Sequence, residues 1–337
     1  MGNSSILCHK KSSRVQPLAT RGTPTSADRS PDVTTPALQD AARESVCWTQ
    51  PGSDPDCMMT LSIGAQVLQK YDVKAVIGKG SFSKVLRVEN RVTRQTNALK
   101  MVDKRALDRS RYETELRVLG QVRHPNIVTL YEIFQTNTKV YLIMELASGG
   151  DLFDRIYQKG RFTEKSGKSV LRMLLSAIAY IHSNGIVHRD LKLENVLYKC
   201  PTEDSPVLIS DFGLAYIHPG DGKPTSPMYM LTTCGSPEYL APEMLEGETY
   251  TELIDMWALG VVAYTVLSGS MPFVEESRAK LYARIRAGNY SFPDELWSPV
   301  SAVAKDFIRQ LLSVDTATRL SATRAAEHRW MRESARR

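Results

Sequence analysis

Two short segments carry residues that could do chemistry together. The first is His188-Arg189-Asp190-Leu191-Lys192-Leu193-Glu194-Asn195 and the second is Asp211-Phe212-Gly213. They place Asp190, Lys192, Asn195 and Asp211 within 21 positions of each other. The apolar runs Ile186-Val187, Val196-Leu197 and Val207-Leu208-Ile209 bracket them. Asp190 can orient a substrate hydroxyl, and Asp211 with Asn195 can hold Mg2+ through hard oxygen donors. Lys192 can offset charge on a moving group. Such a set suits phosphoryl transfer, which needs positioning and charge neutralisation more than covalent help.

A second feature is the glycine loop Gly78-Lys79-Gly80-Ser81-Phe82-Ser83-Lys84-Val85. Glycines let backbone N–H groups approach phosphate oxygens without a Cβ in the way. Read alone, the loop is equally a hairpin turn, and Ser83 stands where a third glycine is usual. Its place upstream of Lys100 favours the phosphate reading.

These residues need elements to hold them. Tyr71 to Ile77, Phe82 to Val88 and Ala98 to Val102 read as strands. Tyr112, Leu116 and Leu119 recur at helical spacing and predict a helix ending near Gly120. Ile127 to Phe134 and Val140 to Leu146 read as a strand pair. Beyond Gly149-Gly150 the pattern becomes helical, with Val170, Leu171, Leu174, Leu175, Ile178 and Ile181 on one long helix and a buried helix over 252–268. Sheet first and helices second predicts an α+β chain of two lobes, with the site in the cleft between them.

Composition sets bounds. The 337 residues are 42% hydrophobic and 24% charged, with a net charge of +6. Residues 1–60 hold six basic and six acidic side chains, so the excess belongs to the folded part. No Lys/Arg block with interleaved aromatics occurs, which argues against nucleic acid as a partner. Cys8, Cys47, Cys57, Cys200 and Cys234 are scattered without a CxxC, so reduced thiols are expected and a zinc site is not. Residues 1–30 lack an apolar h-region, so no secretory signal is expected. The run from Ile254 to Leu267 is too short to span a bilayer.

The HRD and DFG segments, in order and with Lys192 and Asn195 at their offsets, match the protein-kinase template. With Ile77-Gly78-Lys79-Gly80-Ser81-Phe82-Ser83, Glu115-Leu116-Arg117-Val118-Leu119, Met144-Glu145-Leu146-Ala147, Phe153-Asp154-Arg155-Ile156 and Asp255-Met256-Trp257-Ala258-Leu259-Gly260-Val261, residues 71–330 resemble the calcium/calmodulin-dependent group of eukaryotic protein kinases. They look most like the protein serine kinase H family. The resemblance implies a bilobal protein kinase fold. It has a small sheet-rich N-lobe with one key helix (about 71–146) and a large, mostly helical C-lobe (about 147–330). Residues 1–65 would be a disordered tail and 331–337 a short one.

The resemblance also implies roles. ATP and Mg2+ would be the cofactors and Ser/Thr of protein substrates the acceptor; Lys192 is typical of such kinases. Asp190 would orient the hydroxyl, Lys192 would sit near the γ-phosphate, and Asn195 and Asp211 would hold the metal. Asn97-Ala98-Leu99-Lys100 resembles the VAIK strand, so Lys100 would contact the α/β-phosphates. Its partner would be Glu115, with Glu113 as the alternative. The nucleotide would lie among Ile77 to Val85, Ala98, Met144 as gatekeeper, Glu145 and Leu197. Phe212 and His188 would link the lobes. Ser236 would bond near Asp190 and Lys192, Glu243 would pair with Arg319, and Asp255 would organise the catalytic loop. Asp151 and Glu194 occupy places where relatives bind substrate arginine, which predicts basic residues upstream of the target. Arg189 would want an anion, and phosphate on Thr232, or on Thr233, could supply it.

Two departures shape the remaining expectations. The chain ends at Arg337, without the autoinhibitory helix of calmodulin-regulated relatives, so calmodulin control is not expected. Met1-Gly2-Asn3-Ser4-Ser5-Ile6 resembles a myristoylation start, although Ile6 stands where Ser or Thr is favoured. Cys8 could carry a second acyl chain, and Lys10, Lys11 and Arg14 could favour anionic lipid. The expected location is cytoplasmic, peripheral on Golgi and endoplasmic reticulum membranes. The alternative functional reading is a catalytically weak pseudokinase or scaffold. A small-molecule phosphotransferase is disfavoured by the 235–243 segment and the 252–268 helix.

Overall fold

The computed structural model describes residues 43–48, 59–80, 83–106, 108–218, 234–247 and 249–332, with backbone alone for 43–48 and 59–62. Strands β1 (Arg43–Trp48) and β2 (Met59–Gly64) pair antiparallel and lead into the short helix α1 (Ala65–Lys70). Five strands follow: β3 (Tyr71–Lys79), β4 (Ser83–Asn90), β5 (Thr96–Asp103), β6 (Leu130–Gln135) and β7 (Lys139–Met144). They form one antiparallel sheet in the order β3-β4-β5-β7-β6, and helix α2 (Arg109–Gln121) joins β5 to β6.

Period-2 alternation divides this sheet into two faces. Register pairs Leu86 with Leu99 and Leu99 with Ile143, and these buried side chains form the outer face with Tyr71, Val88, Met101 and Tyr141. Ile63, Val67 and Leu68 cover that face and are buried with it. Val85, Lys100 and Leu142 lie opposite one another on the inner face, as do Ala98 and Met144. Asn97 pairs with Val88 on the outer face, so this departure from the VAIK pattern points away from the inner surface.

The reading of 1–65 as a structureless tail is corrected here for the residues described. Order includes a strand pair and starts upstream of Tyr71, with Ile63 1% exposed. A six-residue helix has too little periodicity to be legible and is marginal alone. It exists because the open outer face needs a cover. Gly64 N–H donates to Tyr141 Oη at 3.0 Å, and Lys70 pairs with Glu132 at 2.6 Å.

The second lobe is helical: α3 (Leu152–Lys159), α4 (Glu164–Ser183), α5 (Pro242–Glu246), α6 (Leu253–Ser268), α7 (Arg278–Arg286), α8 (Asp294–Trp297), α9 (Ala302–Leu311), α10 (Ala322–Glu327) and α11 (Arg329–Arg332). Between α4 and α5 lie β8 (Ile186–Val187), β9 (Val196–Tyr198), β10 (Val207–Ile209) and β11 (Tyr216–Ile217), as two short antiparallel pairs. Every residue of α6 from Ile254 to Ser268 is buried, which is why it reads as apolar all round. Among the described residues, no helix is long and apolar enough to cross a membrane.

Two further boundaries differ from the sequence reading. The strand expected over 127–134 forms only from Leu130, and Ile127 instead makes a parallel bridge to Ile209 in the other lobe. Met331 is buried and its carbonyl accepts from Arg172 Nε at 3.0 Å, so the core runs past residue 330.

Candidate active site

Lys100 stands on the inner face of β5, one strand from Val85. Its Nζ lies 2.6 Å from Glu115 Oε1 on α2 and 3.1 Å from Asp211 Oδ1. Glu113, the alternative partner, is instead paired with Arg109 at 2.7 Å on the exposed side of α2. Two residues on a helix are about 200° apart, so only one of the pair can face the sheet. Burial alone would discharge Lys100, but Glu115 and then Asp211 outweigh it and hold the ammonium well above its ordinary range. Burial likewise raises Asp211, and Lys100 more than cancels this, leaving the carboxyl below its usual value.

Asp190 sits at the centre of the second cluster. Its Oδ1 accepts from Ser236 N at 3.1 Å and from Ser236 Oγ at 3.3 Å. Its Oδ2 lies 3.0 Å from Lys192 Nζ and 3.2 Å from Asn195 Nδ2. Lys192 Nζ also donates to Ser236 Oγ at 3.0 Å. The carboxylate is therefore fixed by groups from both sides, which limits the reorientation a reaction would require.

The backbone that carries Asp190 is itself strained and anchored. Arg189 (φ +66°) and Asp211 (φ +62°) are non-glycine residues in the left-handed region. Such positions cost about 1 kcal/mol or more and persist only where neighbours over-determine them. For Arg189 the constraint is visible. Asp255 Oδ1 accepts from Arg189 N at 2.9 Å, and Asp255 Oδ2 accepts from His188 N at 2.8 Å. His182 Nε2 adds a third contact to Asp255 Oδ2 at 2.9 Å. His188 is fully buried with its ring edge on Phe212, 4.8 Å between centroids. Its Nε2 faces the carbonyl of Ser210, which can only accept, so Nε2 carries the proton and Nδ1 accepts from Asp190 N.

The other anticipated residues fall around these clusters. Ala98 and Met144 are buried opposite each other, and Leu197 is bridged to Asp151. Glu145 N–H donates to Thr129 O and its side chain pairs with Lys199, so its carbonyl is what it has left for a ligand. Gly78 pairs with Val85, Lys79 pairs with Lys84, Gly80 N–H closes on Ser83 O at 2.9 Å, and Ile77 is exposed. Ser81, Phe82, Thr232 and Thr233 lie outside the described residues, as do Gly2, Cys8, Lys10, Lys11 and Arg14. Glu243 and Arg319 form a buried bidentate pair at 2.6 and 2.9 Å.

Asp151 has a second occupation, one that its place just ahead of an apolar helical run signals. Its Oδ1 accepts from Asp154 N at 2.7 Å and caps α3. Glu194 is exposed; its carboxyl is raised by partial desolvation and by the nearby Asp151 and Asp190. Arg189 likewise finds protein acceptors, Leu214 O at 2.6 Å and Tyr250 Oη at 3.3 Å. Tyr250, His182 and Ser210 were missed by sequence reasoning. His182 carried one usable signal, the end of an apolar helix six residues before His188; the other two carried none.

The donor set fits a hard cation. Asn195 spends its amide nitrogen on Asp190, which leaves the amide oxygen, and Asp211 keeps one oxygen beyond Lys100. Among the described residues there is no cluster of three or more His, Cys, Asp or Glu able to hold a metal by themselves. One carboxylate and one amide beside a phosphate ligand is a Mg2+ arrangement rather than a zinc one.

Residues 71–331 match the protein kinase domain family. Human serine/threonine-protein kinase H1 is 49% identical over 289 residues, covering 84% of this chain and 67% of that protein. Human serine/threonine-protein kinase H2 is 47% identical over 267 residues, 79% of this chain and 68% of that protein. Calcium/calmodulin-dependent protein kinase type 1 of Caenorhabditis briggsae is 43% identical over 270 residues, 79% of this chain and 74% of that protein. The inner-face lysine paired to α2 and the anchored loop between β8 and β9 thus stand in a chain that belongs to the protein kinase family, among the serine/threonine-protein kinases.

Proposed function

We propose that this protein transfers the γ-phosphate of ATP to serine or threonine hydroxyls of protein substrates. The observation that carries the reading is the fixed Asp190 carboxylate, bonded to Ser236, Lys192 and Asn195. Asp190 orients the hydroxyl and accepts its proton, and Lys192 offsets charge on the γ-phosphate. Lys100 binds the α- and β-phosphates, its charge secured by Glu115. Ala98, Val85, Met144 and Leu197 enclose the adenine, and the Glu145 carbonyl accepts from it. Mg2+, when bound by Asn195 and Asp211, neutralises phosphate charge. Phosphorylation of a mixed peptide pool with Mg-ATP tests this, comparing wild type with Asp190→Asn and Lys100→Met. Wild type should exceed both variants by at least about a hundredfold, the scale of a lost general base. Equal transfer by all three would establish the scaffold reading.

Glu194 and Asp151 support a preference for Arg or Lys upstream of the target. Glu194 is exposed beside the acidic Asp151 and Asp190, and a guanidinium can bind a carboxylate bidentately. Asp151 contributes through the charge it retains while capping α3. An oriented peptide library with no upstream Arg/Lys selection would remove this preference.

The N-terminal sequence supports membrane attachment through acyl groups at Gly2 and Cys8, with Lys10, Lys11 and Arg14 adding attraction to anionic lipid, at Golgi and endoplasmic reticulum membranes. One acyl chain binds only marginally, which is why the second signal matters. Intact mass of the N-terminal peptide from eukaryotic cells decides this: an unshifted mass would sink the idea.

A further inference from the structure

Ser210 joins β10 to Asp211, and three of its atoms are bonded to the segment that faces it. Its N–H and its Oγ both donate to Asn195 O, at 2.9 and 3.0 Å. Its carbonyl accepts from His188 Nε2 at 3.0 Å. The strand register of β9 with β10 ends one residue earlier, at Val196 with Ile209. Ser210 therefore extends that ladder by one backbone and one side-chain bond, immediately before a residue held at φ +62°.

The consequence lies in what each end of this link carries. Asn195 is buried, and its amide nitrogen is committed to Asp190 O at 2.8 Å and Asp190 Oδ2 at 3.2 Å. Its side chain therefore cannot turn without breaking both bonds, and its position follows its backbone. Asp211 follows Ser210 directly, so its Cα is placed by the same carbonyl. A residue lacking a side-chain donor would keep the Ser210 N–H bond and lose the second one. Ser210 is only half-buried, so burial of the hydroxyl does not by itself demand a protein acceptor. We propose that Ser210 is a positioning residue for the divalent-cation site, its hydroxyl setting the spacing between the Asn195 amide oxygen and the Asp211 carboxylate. The inference rests on the reading of Asn195 and Asp211 as the cation's holders. Outer hydrogen bonds of this kind orient metal ligands, and their loss weakens metal affinity.

The test is a Mn2+ titration followed by electron paramagnetic resonance. It uses the full chain saturated with a non-hydrolysable ATP analogue, with Ser210→Ala, Ser210→Thr and Asp211→Asn beside wild type. Ser210→Ala should weaken Mn2+ about fivefold, the worth of one hydrogen bond, and Ser210→Thr, which keeps the hydroxyl, should restore it. Unchanged Mn2+ affinity in Ser210→Ala, including the case where only its thermal midpoint falls, marks a structural role and overturns the proposal. Asp211→Asn separates the two levels of failure. If it weakens Mn2+ and Ser210→Ala does not, the cation site stands and the role of Ser210 falls. If neither weakens Mn2+, the cation site falls and the role of Ser210 with it.

Discussion

Glu243→Gln removes the only negative charge paired, among the described residues, with the buried Arg319 guanidinium. Arg319 is 2% exposed, and its Nη1 and Nη2 reach the two Glu243 oxygens at 2.6 and 2.9 Å. Its other contacts are neutral: Ser313 O at 2.9 Å, Leu253 O at 3.1 Å, Val314 O at 3.4 Å and the Trp257 ring at 5.1 Å. Glutamine keeps the shape and one acceptor, so the loss is mainly that of the charge. Leaving a buried ion without its partner costs about 3–5 kcal/mol. At about 2–4 °C per kcal/mol for a domain of this size, the thermal midpoint should fall by about 6–20 °C. Urea denaturation of the full chain, followed by tryptophan fluorescence, measures the free energy directly. The double variant Glu243→Leu/Arg319→Met should not restore wild-type stability, since it leaves the carbonyls of Leu253, Ser313 and Val314 without their donor, each at about 1–3 kcal/mol. A Glu243→Gln loss below about 1 kcal/mol would refute the reasoning, because it would mean the carbonyls alone stabilise the cation.

Three other outcomes are expected. Ile63→Ala should cost about 2–5 kcal/mol in urea denaturation, whereas a residue in an unstructured tail would cost nothing. Gly149→Ala would drive a Cβ into Cys200 O and to 2.6 Å from Tyr198 Cβ, so the backbone between the lobes must shift. Stability should drop by about 1–3 kcal/mol, and binding of a fluorescent nucleotide should weaken with it. Burial pushes the Asp255 carboxyl up, but the His182 bond and the His188 N–H outweigh it and hold the group below its ordinary 3.8. A carboxyl whose folded value is depressed stabilises fully above its unfolded value and loses that as pH falls through the folded one. Stability measured from pH 7 to pH 2 should therefore fall below about pH 4, and Asp255→Asn should start lower and lose less there.

The chain's chemistry was legible because it is local. Asp190, Lys192 and Asn195 lie within six positions, Asp211 follows across one short hairpin, and the backbone alone brings them near one another. The two-lobed order was legible too, since strand and helix periods differ and the change comes at Gly149-Gly150. Register then settled what local pattern left open. Glu115 rather than Glu113 faces Lys100 because α2 lies on the inner face of the sheet, and no spacing along the chain states which face that is.

Other features depend on distant partners and had no signature in the sequence. The cover of Ile63, Val67 and Leu68 forms because an apolar face made by β3, β4, β5 and β7 would otherwise meet water. Asp151 is the exception: it looked like a substrate carboxylate and is also a helix cap, a local role that an Asp just ahead of an apolar helical run does signal. Arg189 looked like an unpaired cation, yet Leu214 and Tyr250 arrive from 25 and 61 residues away to accept from it. Amino-acid type and spacing thus decide which groups can react. Packing decides which of their lone pairs and protons are already taken, because a hydrogen bond depends on distance in space and not on separation along the chain.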